Sequence, residues 1–422
     1  MLTNATAKQL EQAAAYNYRE MVCLEAIACG GEVREKNGLV WTYAGPDTNA
    51  NIPFPSPSAM HTGESLNAMM DYYRQHPPKG AGYWSLDPPR PADIGIQLLA
   101  RGFQPGWRPC WMALDLAAIQ DQHAAPGKLQ VRGDDDTDIR SITALPFSAG
   151  NHVLSPACRQ ANPGRSQRFL ALLQGKVVGQ SAVFYTTGDY GVAGIYNVGV
   201  VPKMRNQGIG KAVTLAACLY AKEQGYRYAV LNASPEGRRI YEQLGFQWMG
   251  DGLTWWLAGD RYITHPPSPL QVALAEATGR GDVAALDRLG PSLMPVDITA
   301  PLANNMTLME LAAHCRQPAS AEWLIARGAP YTLLDAWDLG WRDRAAQLLA
   351  ANPQEVNRQY CEGNMTILHI AVQRNDTALA ELALSAKPDV RLKDSWHNST
   401  PLGWAQFFQR PELIALIKAH GG

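Results

Sequence analysis

Residues Ile195 to Ala221, IYNVGVVPKMRNQGIGKAVTLAACLYA, turn an apolar strand into an amphipathic helix through a loop that is both basic and glycine-rich. Ile195, Val198, Val200 and Val201 read as a strand that Pro202 ends, and Lys211 to Ala221 reads as a helix with Val213, Leu215, Ala216 and Leu219 at its apolar positions. Between them stands Arg205-Asn206-Gln207-Gly208-Ile209-Gly210. The two glycines let backbone approach a ligand with no Cβ in the way, and the first N–H groups of the helix have no partner inside it. Those donors, at the positive end of the helix dipole, suit a pyrophosphate. A Walker A loop would need glycine at position 205 and Ser or Thr at 212, where this chain has Arg205 and Ala212. A dinucleotide fingerprint would need a third small residue at 213, which is Val213.

What remains, Arg-x-x-Gly-x-Gly behind a strand containing Val198-Gly199-Val200, resembles the acetyl-CoA loop of the GCN5-related N-acetyltransferases (GNAT). The next segment extends the resemblance. Tyr228 to Asn232 reads as a second strand, Ser234 to Gly237 as a turn, and Arg238 to Leu244 as a short helix stopped by Gly245 and followed by Phe246. The resemblance implies two strands that splay apart to admit acetyl-CoA as co-substrate. Backbone of Val198, Gly199 and Val200 would pair with the pantetheine arm, and Arg205, Asn206, Gln207, Gly208, Ile209, Gly210 and Lys211 would wrap the pyrophosphate. Asn232 would face the arm, and Tyr241 would lie beside the sulfur as the acid that protonates it.

Acetyl transfer to an amine also needs a neutral nucleophile. At a lysine-like pKa of about 10.4, less than about one part in a thousand is neutral at pH 7. Some base or water chain must accept the proton. The strand Ile195-Tyr196-Asn197-Val198 carries no acid where many of these enzymes have Glu, which leaves Asp189 upstream or a water held by Tyr196 or Asn197.

At 422 residues the chain predicts two to four domains. Its 37 basic residues balance 38 acidic ones with no basic run, which argues against nucleic acid or an anionic membrane as partner. The polar start MLTNATAKQLEQ has no signal-peptide core, and Ala212 to Ala221 is too short to span a bilayer, so a cytoplasmic protein is expected. Seven cysteines, Cys23, Cys29, Cys110, Cys158, Cys218, Cys315 and Cys361, lack metal-ligand spacing and read as free thiols, with no metal site expected.

Ala7 to Ala28 has helical spacing, Leu39 to Ala44 and Tyr83 to Asp87 read as strands, and Asn49 to Pro57 reads as a Pro/Asn loop. Glu64 to His76 and Ile94 to Ala100 read as helices, and Trp111 to Leu116 as a strand. Gly102-Phe103-Gln104 ends this series as Gly245-Phe246-Gln247 ends the later one, 143 positions on. Residues 1–124 thus resemble a degenerate acetyltransferase-like copy with no glycine loop and with Leu98 in the place of Tyr241; an unrelated α+β cap is the other reading. One cofactor per chain follows from either. After a linker at Gln120 to Lys128, residues 128–260 are expected to form the catalytic domain. It would hold a strand at Leu129 to Arg132, a helix from about Asp136, and a loop whose His152, Ser155 and Cys158 stand where an acceptor would enter. Trp255-Trp256-Leu257 reads as the strand that closes its sheet.

From Pro266 onward strands give way to short amphipathic helices. Thr366-Ile367-Leu368-His369-Ile370-Ala371 and Thr400-Pro401-Leu402-Gly403-Trp404-Ala405 stand 34 positions apart, Thr307-Leu308-Met309-Glu310-Leu311-Ala312 is a third version, and each precedes a second helix. Residues 266–422 resemble ankyrin repeats. The expected architecture is therefore a mixed-sheet α/β acetyltransferase fold in two copies plus an all-α ankyrin-repeat solenoid. Two functions follow: an acetyl-CoA-dependent N-acetyltransferase acting on a small-molecule amine, such as a toxic or antibiotic compound, or an interaction protein whose repeats bind a protein that is itself the acceptor.

Overall fold

The apolar stripe between residues 7 and 28 forms one helix, α1 (Ala7–Ala28), opened by a capping box in which Thr6 and Gln9 bond each other's backbone N–H. The computed structural model describes residues 1–55, 61–119, 128–148, 153–259, 263, 265–360 and 363–422. They divide into two units, Met1–Pro267 and Ser268–Gly422. Residues 120–127 of the expected linker, His152 and Cys361 lie outside the described residues.

In the first unit α1 is followed by a hairpin, β1 (Glu32–Lys36) and β2 (Leu39–Tyr43), then β3 (Asn49–Pro53), α2 (Thr62–Gln75) and β4 (Gly80–Leu86). The first five residues of the run read as a Pro/Asn loop are thus the strand β3, and Pro53 is tolerated because β3 is an edge strand; residues 56 and 57 of that run lie outside the described residues. There follow α3 (Ile94–Ala100), β5 (Gln104–Pro105), β6 (Cys110–Asp115), β7 (Leu129–Gly133), α4 (Pro156–Ala161), β8 (Ser166–Leu173) and β9 (Lys176–Tyr185). Last come β10 (Ala193–Val200), α5 (Ile209–Glu223), β11 (Tyr228–Ala233), α6 (Pro235–Glu242) and β12 (Gln247–Ala258). No helix starts at Asp136. Asp134 instead accepts from the backbone and hydroxyl of Thr137, so the segment turns.

Nine of these strands lie side by side in the order β3-β4-β12-β6-β11-β10-β9-β8-β7, and β5 pairs with β12 off this path. The order crosses the sequence boundary near residue 124 three times, between β4 and β12, β12 and β6, and β6 and β11. β6, from the first 124 residues, lies between β11 and β12. β12 pairs with β6 through Gln247–Asp251, then passes on to pair with β4 from Gly252 to Ala258 and with β5 at Trp255 and Trp256. Trp255-Trp256-Leu257 therefore sits inside the sheet rather than at its edge. The position follows from a strand long enough to serve both halves.

Alternation along the strands sends side chains to two layers. On one face Tyr18, Met21 and Val22 of α1 pack on Trp84, Trp111, Phe184 and Tyr196. On the other, Ala217, Cys218 and Ala221 of α5 pack on Met112, Leu114, Ile195 and Leu231. Burying a large apolar side chain in such a layer contributes about 1.5–3 kcal/mol.

The second unit is built of helices in consecutive pairs: α7 (Pro269–Arg280) with α8 (Val283–Leu289), and, after a short α9 (Pro295–Thr299), α10 (Leu308–His314) with α11 (Pro318–Ile325). Then come α12 (Leu333–Asp338) with α13 (Arg342–Ala351), a hairpin of β13 (Gln359–Tyr360) and β14 (Met365–Thr366), α14 (Ile367–Arg374) with α15 (Thr377–Ser385), and α16 (Pro401–Phe407) with α17 (Pro411–Ala419). First helices touch first helices, α7 to α10, α10 to α12 and α14 to α16. Four of them start on threonine caps, Thr307, Thr332, Thr366 and Thr400. Thr332, 34 positions before Thr366, begins the helix pair that the sequence marks only weakly. His369 is fully buried, with Nδ1 accepting from Thr366 N and Nε2 3.0 Å from the Ser399 carbonyl, which it must therefore reach as a donor. Among the described residues no helix is long and apolar enough to cross a membrane.

Candidate active site

β10 and β11 are parallel, yet their ladder holds only at Ala193 with Ala229 and Gly194 with Val230. Beyond that point β11 stays on β6 as far as Ala233, while β10 stays on β9 through a bulge between Tyr196 and Gly199. Asn197 has φ of 51° in that bulge, and a bulge bends its strand. The strands part, and a wedge opens along Val198, Gly199 and Val200.

At the mouth of the wedge a 3-10 turn, Pro202–Met204, leads into exposed Arg205, Asn206 and Gln207. Gly208, with φ of 77°, then caps α5, a left-handed conformation that disfavours any residue with a Cβ. Ala212 is the first amide of the helix to find a partner, Gly208 O at 3.0 Å, so the N–H groups of Ile209, Gly210 and Lys211 precede the ladder. A Cβ on Gly210 would meet only Val200 Cγ2 at 3.6 Å, so packing does not require glycine there. Arg205 has no ion-pair partner among the described residues, whereas Lys211 Nζ donates to Gln243 Oε1 and ties the start of α5 to the end of α6.

Tyr241 lies in the last turn of α6, where Phe246 N bonds Tyr241 O at 3.1 Å and Gly245 has φ of 94°, a Schellman ending. Its ring meets Phe246 edge-on, centroids 5.9 Å apart, in the layer that includes Cys218 and Leu231. Burial, with the nearby Cys218 adding to it, pushes the phenol up to about 12, so it stays protonated at neutral pH. Asn232, half-buried on β11, alternates with Leu231 and so falls on the face of the sheet that α1 covers.

The segment expected to admit an acceptor lies against the bulge. Pro146 O accepts from Gln180 Nε2 at 2.7 Å and occupies the space a Cβ on Gly199 would need. Val153 O accepts from Asn197 Nδ2 at 2.6 Å. Ser155 N donates to Glu25 Oε2 at 2.9 Å, and the Cys29 thiol reaches Oε1 of the same carboxylate at 3.5 Å. Glu25 of α1 is thus a carboxylate that the fold brings to this segment. Nothing in the sequence marks it, because 172 positions separate it from Asn197.

The other expected groups are engaged in structure. Ser155 Oγ caps α4 by accepting from Cys158 N, and Cys158 is buried, its thiol pushed up to about 12. The Tyr196 hydroxyl donates to Asn17 Oδ1 at 2.6 Å. Asn17 Nδ2 in turn donates to Phe184 O, Thr186 Oγ1 and Val192 O. Gly194 is required by that network, since a Cβ there would lie 2.0 Å from Asn17 Oδ1. Asp189 sits in the 3-10 turn Gly188–Tyr190 that precedes β10, at the end of the strand away from the wedge.

The site thus combines a parted parallel strand pair, a glycine-capped helix start and the half-buried phenol of Tyr241. Residues 165–248 match the acetyltransferase (GNAT) domain family. The GNAT match covers β8 to the start of β12. The curated glucosamine 6-phosphate N-acetyltransferase of Trypanosoma brucei brucei is 31% identical over 77 residues, 17% of this chain and 52% of that protein, so the chain spans about half the length of the relative it matches. Among solved structures, a GCN5-related N-acetyltransferase from Kribbella flavida is 17% identical, covering 58% of this chain and 96% of that one at a TM-score of 0.45. A tandem GNAT protein from the clavulanic acid biosynthesis pathway is 16% identical, covering 52% and 78% at 0.38.

Proposed function

We propose that the chain is an acetyl-CoA-dependent N-acetyltransferase that acetylates an amine of a small molecule. The observation that carries this is the parting of β10 from β11 after Gly194 and Val230, above the unpartnered N–H groups that open α5. Arg205 to Lys211 hold the pyrophosphate, and the free edge of Val198 to Val200 pairs with the pantetheine arm and polarises the thioester carbonyl. Tyr241 delivers a proton to the departing sulfur, as its raised pKa allows. The proton lost by the amine passes to water at the acceptor mouth, where Glu25 supplies the charge that orients it.

Residues 1–124 are read as a degenerate second copy that has exchanged strands with the first. In support, Phe103 N bonds Leu98 O at 3.1 Å and Gly102 has φ of 94°, the same helix ending as at Tyr241, Gly245 and Phe246. The acceptor is sought by thiol release from acetyl-CoA against amines, amino acids, aminoglycosides, hexosamine phosphates and peptides. Turnover of a small amine is expected. Cofactor binding with no turnover on any of them would instead favour a second reading, a protein acceptor recruited through residues 266–422 as ankyrin repeats, which rests on the threonine caps spaced by 34 positions. Under that reading, cutting the chain after residue 267 should leave acetyl-CoA binding undiminished and abolish modification of the recruited protein.

A further inference from the structure

A cavity of about 350 Å³ lies in the first unit, between the N-terminal half of α1, the loop that follows β4, and the turn before β10. Three cationic side chains from two segments converge on it: Lys8 and Arg19 of α1, and Arg90 of the loop. None of the three has an ion-pair partner among the described residues. Several arginines elsewhere in this unit are held by carboxylates, as in Arg34 with Glu32, Arg74 with Asp71, Arg165 with Glu20 and Arg227 with Asp115. Arg205, at the loop assigned to pyrophosphate, is left open in the same way. Of the two acids that line the cavity, Asp87 is taken by Arg108, which leaves Glu11, pressed against the backbone of Gly250. The net charge facing the cavity is positive.

The cavity has a second kind of wall. Tyr16 and Tyr190 meet with ring centroids 5.3 Å apart, and each keeps more than two fifths of its surface exposed, at 43% and 42%. Paired phenols at the rim offer a flat apolar face beside a polar floor. Guanidinium groups bind phosphate oxygens in a bidentate manner and an ammonium binds them as a point charge, so a lining of two guanidiniums and an ammonium suits a phosphorylated ligand that extends along the cavity. Glu11 supplies an acceptor for a hydroxyl or amine on the same molecule.

We propose that this cavity is a binding site for a small phosphorylated molecule, distinct from the wedge between β10 and β11. The inference is independent of the acetyl-transfer reading. It is tested on the full chain carrying Arg205→Met, which removes the open arginine at the loop assigned to pyrophosphate, by calorimetric titration with inorganic pyrophosphate at low ionic strength. One pyrophosphate per chain is expected, and adding Arg90→Met or Lys8→Met, both at exposed positions, should weaken it at least tenfold with no change in melting temperature. Arg19→Met should do the same if it folds. No binding to the Arg205→Met chain, equal binding after Arg90→Met and Lys8→Met, or binding of citrate with none of pyrophosphate would each overturn the assignment.

Discussion

Two parallel strand–helix–strand units stand in one sheet, and they treat the space between their strands in opposite ways. β3 and β4 are paired from Asn49 with Gly80 through Pro53 with Trp84, and Phe54 N continues the ladder onto Trp84 O. β10 and β11 share two register pairs and then part. The helices that follow the first strands differ in the same sense. α5 begins on a bare glycine, with Arg205 and Lys211 flanking it and no acid in its first turn. α2 begins after His61, carries Glu64 in its first turn, and pairs that carboxylate with Lys36. A carboxylate at the positive end of the dipole occupies the place an incoming phosphate would need. Each unit closes with a Schellman ending before a phenylalanine, but the residue at its head is Tyr241 in one and fully buried Leu98 in the other. Similar backbone geometry therefore supports a wedge with a phenol on the following helix in one half and a sealed apolar core in the other. The difference lies in a bulge, a cap and one hydroxyl.

The most severe test of that contrast is to separate the halves. Deleting residues 1–124 removes β6 from between β11 and β12 and α1 from one face of the sheet, so the remainder of the first unit should fail to fold, as judged by loss of a cooperative thermal transition. A folded, acetyl-CoA-binding product would show that β6 is dispensable and that the two halves are independent.

Within the intact chain the hydroxyl of Tyr241 should matter most. Tyr241→Phe should lower kcat about 100-fold, at the low end of what general acid catalysis contributes, with little change in KM for acetyl-CoA. Because burial raises this phenol to about 12, its proton-donating form persists as pH rises through 8 and 9. A basic limb of kcat near pH 8 in the native protein that vanishes in Tyr241→Phe would contradict the assignment.

Gly210→Val should weaken acetyl-CoA binding at least tenfold, about 1.4 kcal/mol, while leaving the melting temperature nearly unchanged, since its Cβ meets only Val200 at ordinary contact distance. Gly208→Val is the poorer probe, because φ of 77° there would strain the fold as well. The counterpart in the other half is Glu64→Gln: acetyl-CoA should still bind once per chain, and a second equivalent in that variant would mean that the charge alone keeps the β3–β4 unit from taking a cofactor.

The smallest effect is expected at the acceptor mouth. Glu25→Gln keeps an oxygen to accept from Ser155 N but removes the charge, and it should lower kcat/KM for the acceptor about threefold with KM for acetyl-CoA unaffected. Equal loss in both parameters would point to a displaced segment rather than a lost charge.

The parts of this protein that rest on neighbours in the chain are legible in its sequence. Helical spacing defines α1 to the residue, glycines mark the start of α5 and the end of α6, and threonines spaced by 34 positions mark first helices in the second unit, because caps, turns and periodicity involve groups a few residues apart. The tertiary structure alone decided the rest. Whether a strand is edge or centre depends on which partners reach it, and so β3 emerges from a run that reads as a loop and β12 passes from one half to the other instead of closing the sheet. The same holds at the mouth of the wedge. Tyr196 looks free to hold a water until Asn17 is brought from 179 positions away, and Glu25 has no local signature until α1 meets the segment that carries Val153 and Ser155 against the bulge. A hydrogen bond between residues so distant in the chain is set by how helices and strands pack, and that packing is a property of the whole sheet rather than of any stretch within it.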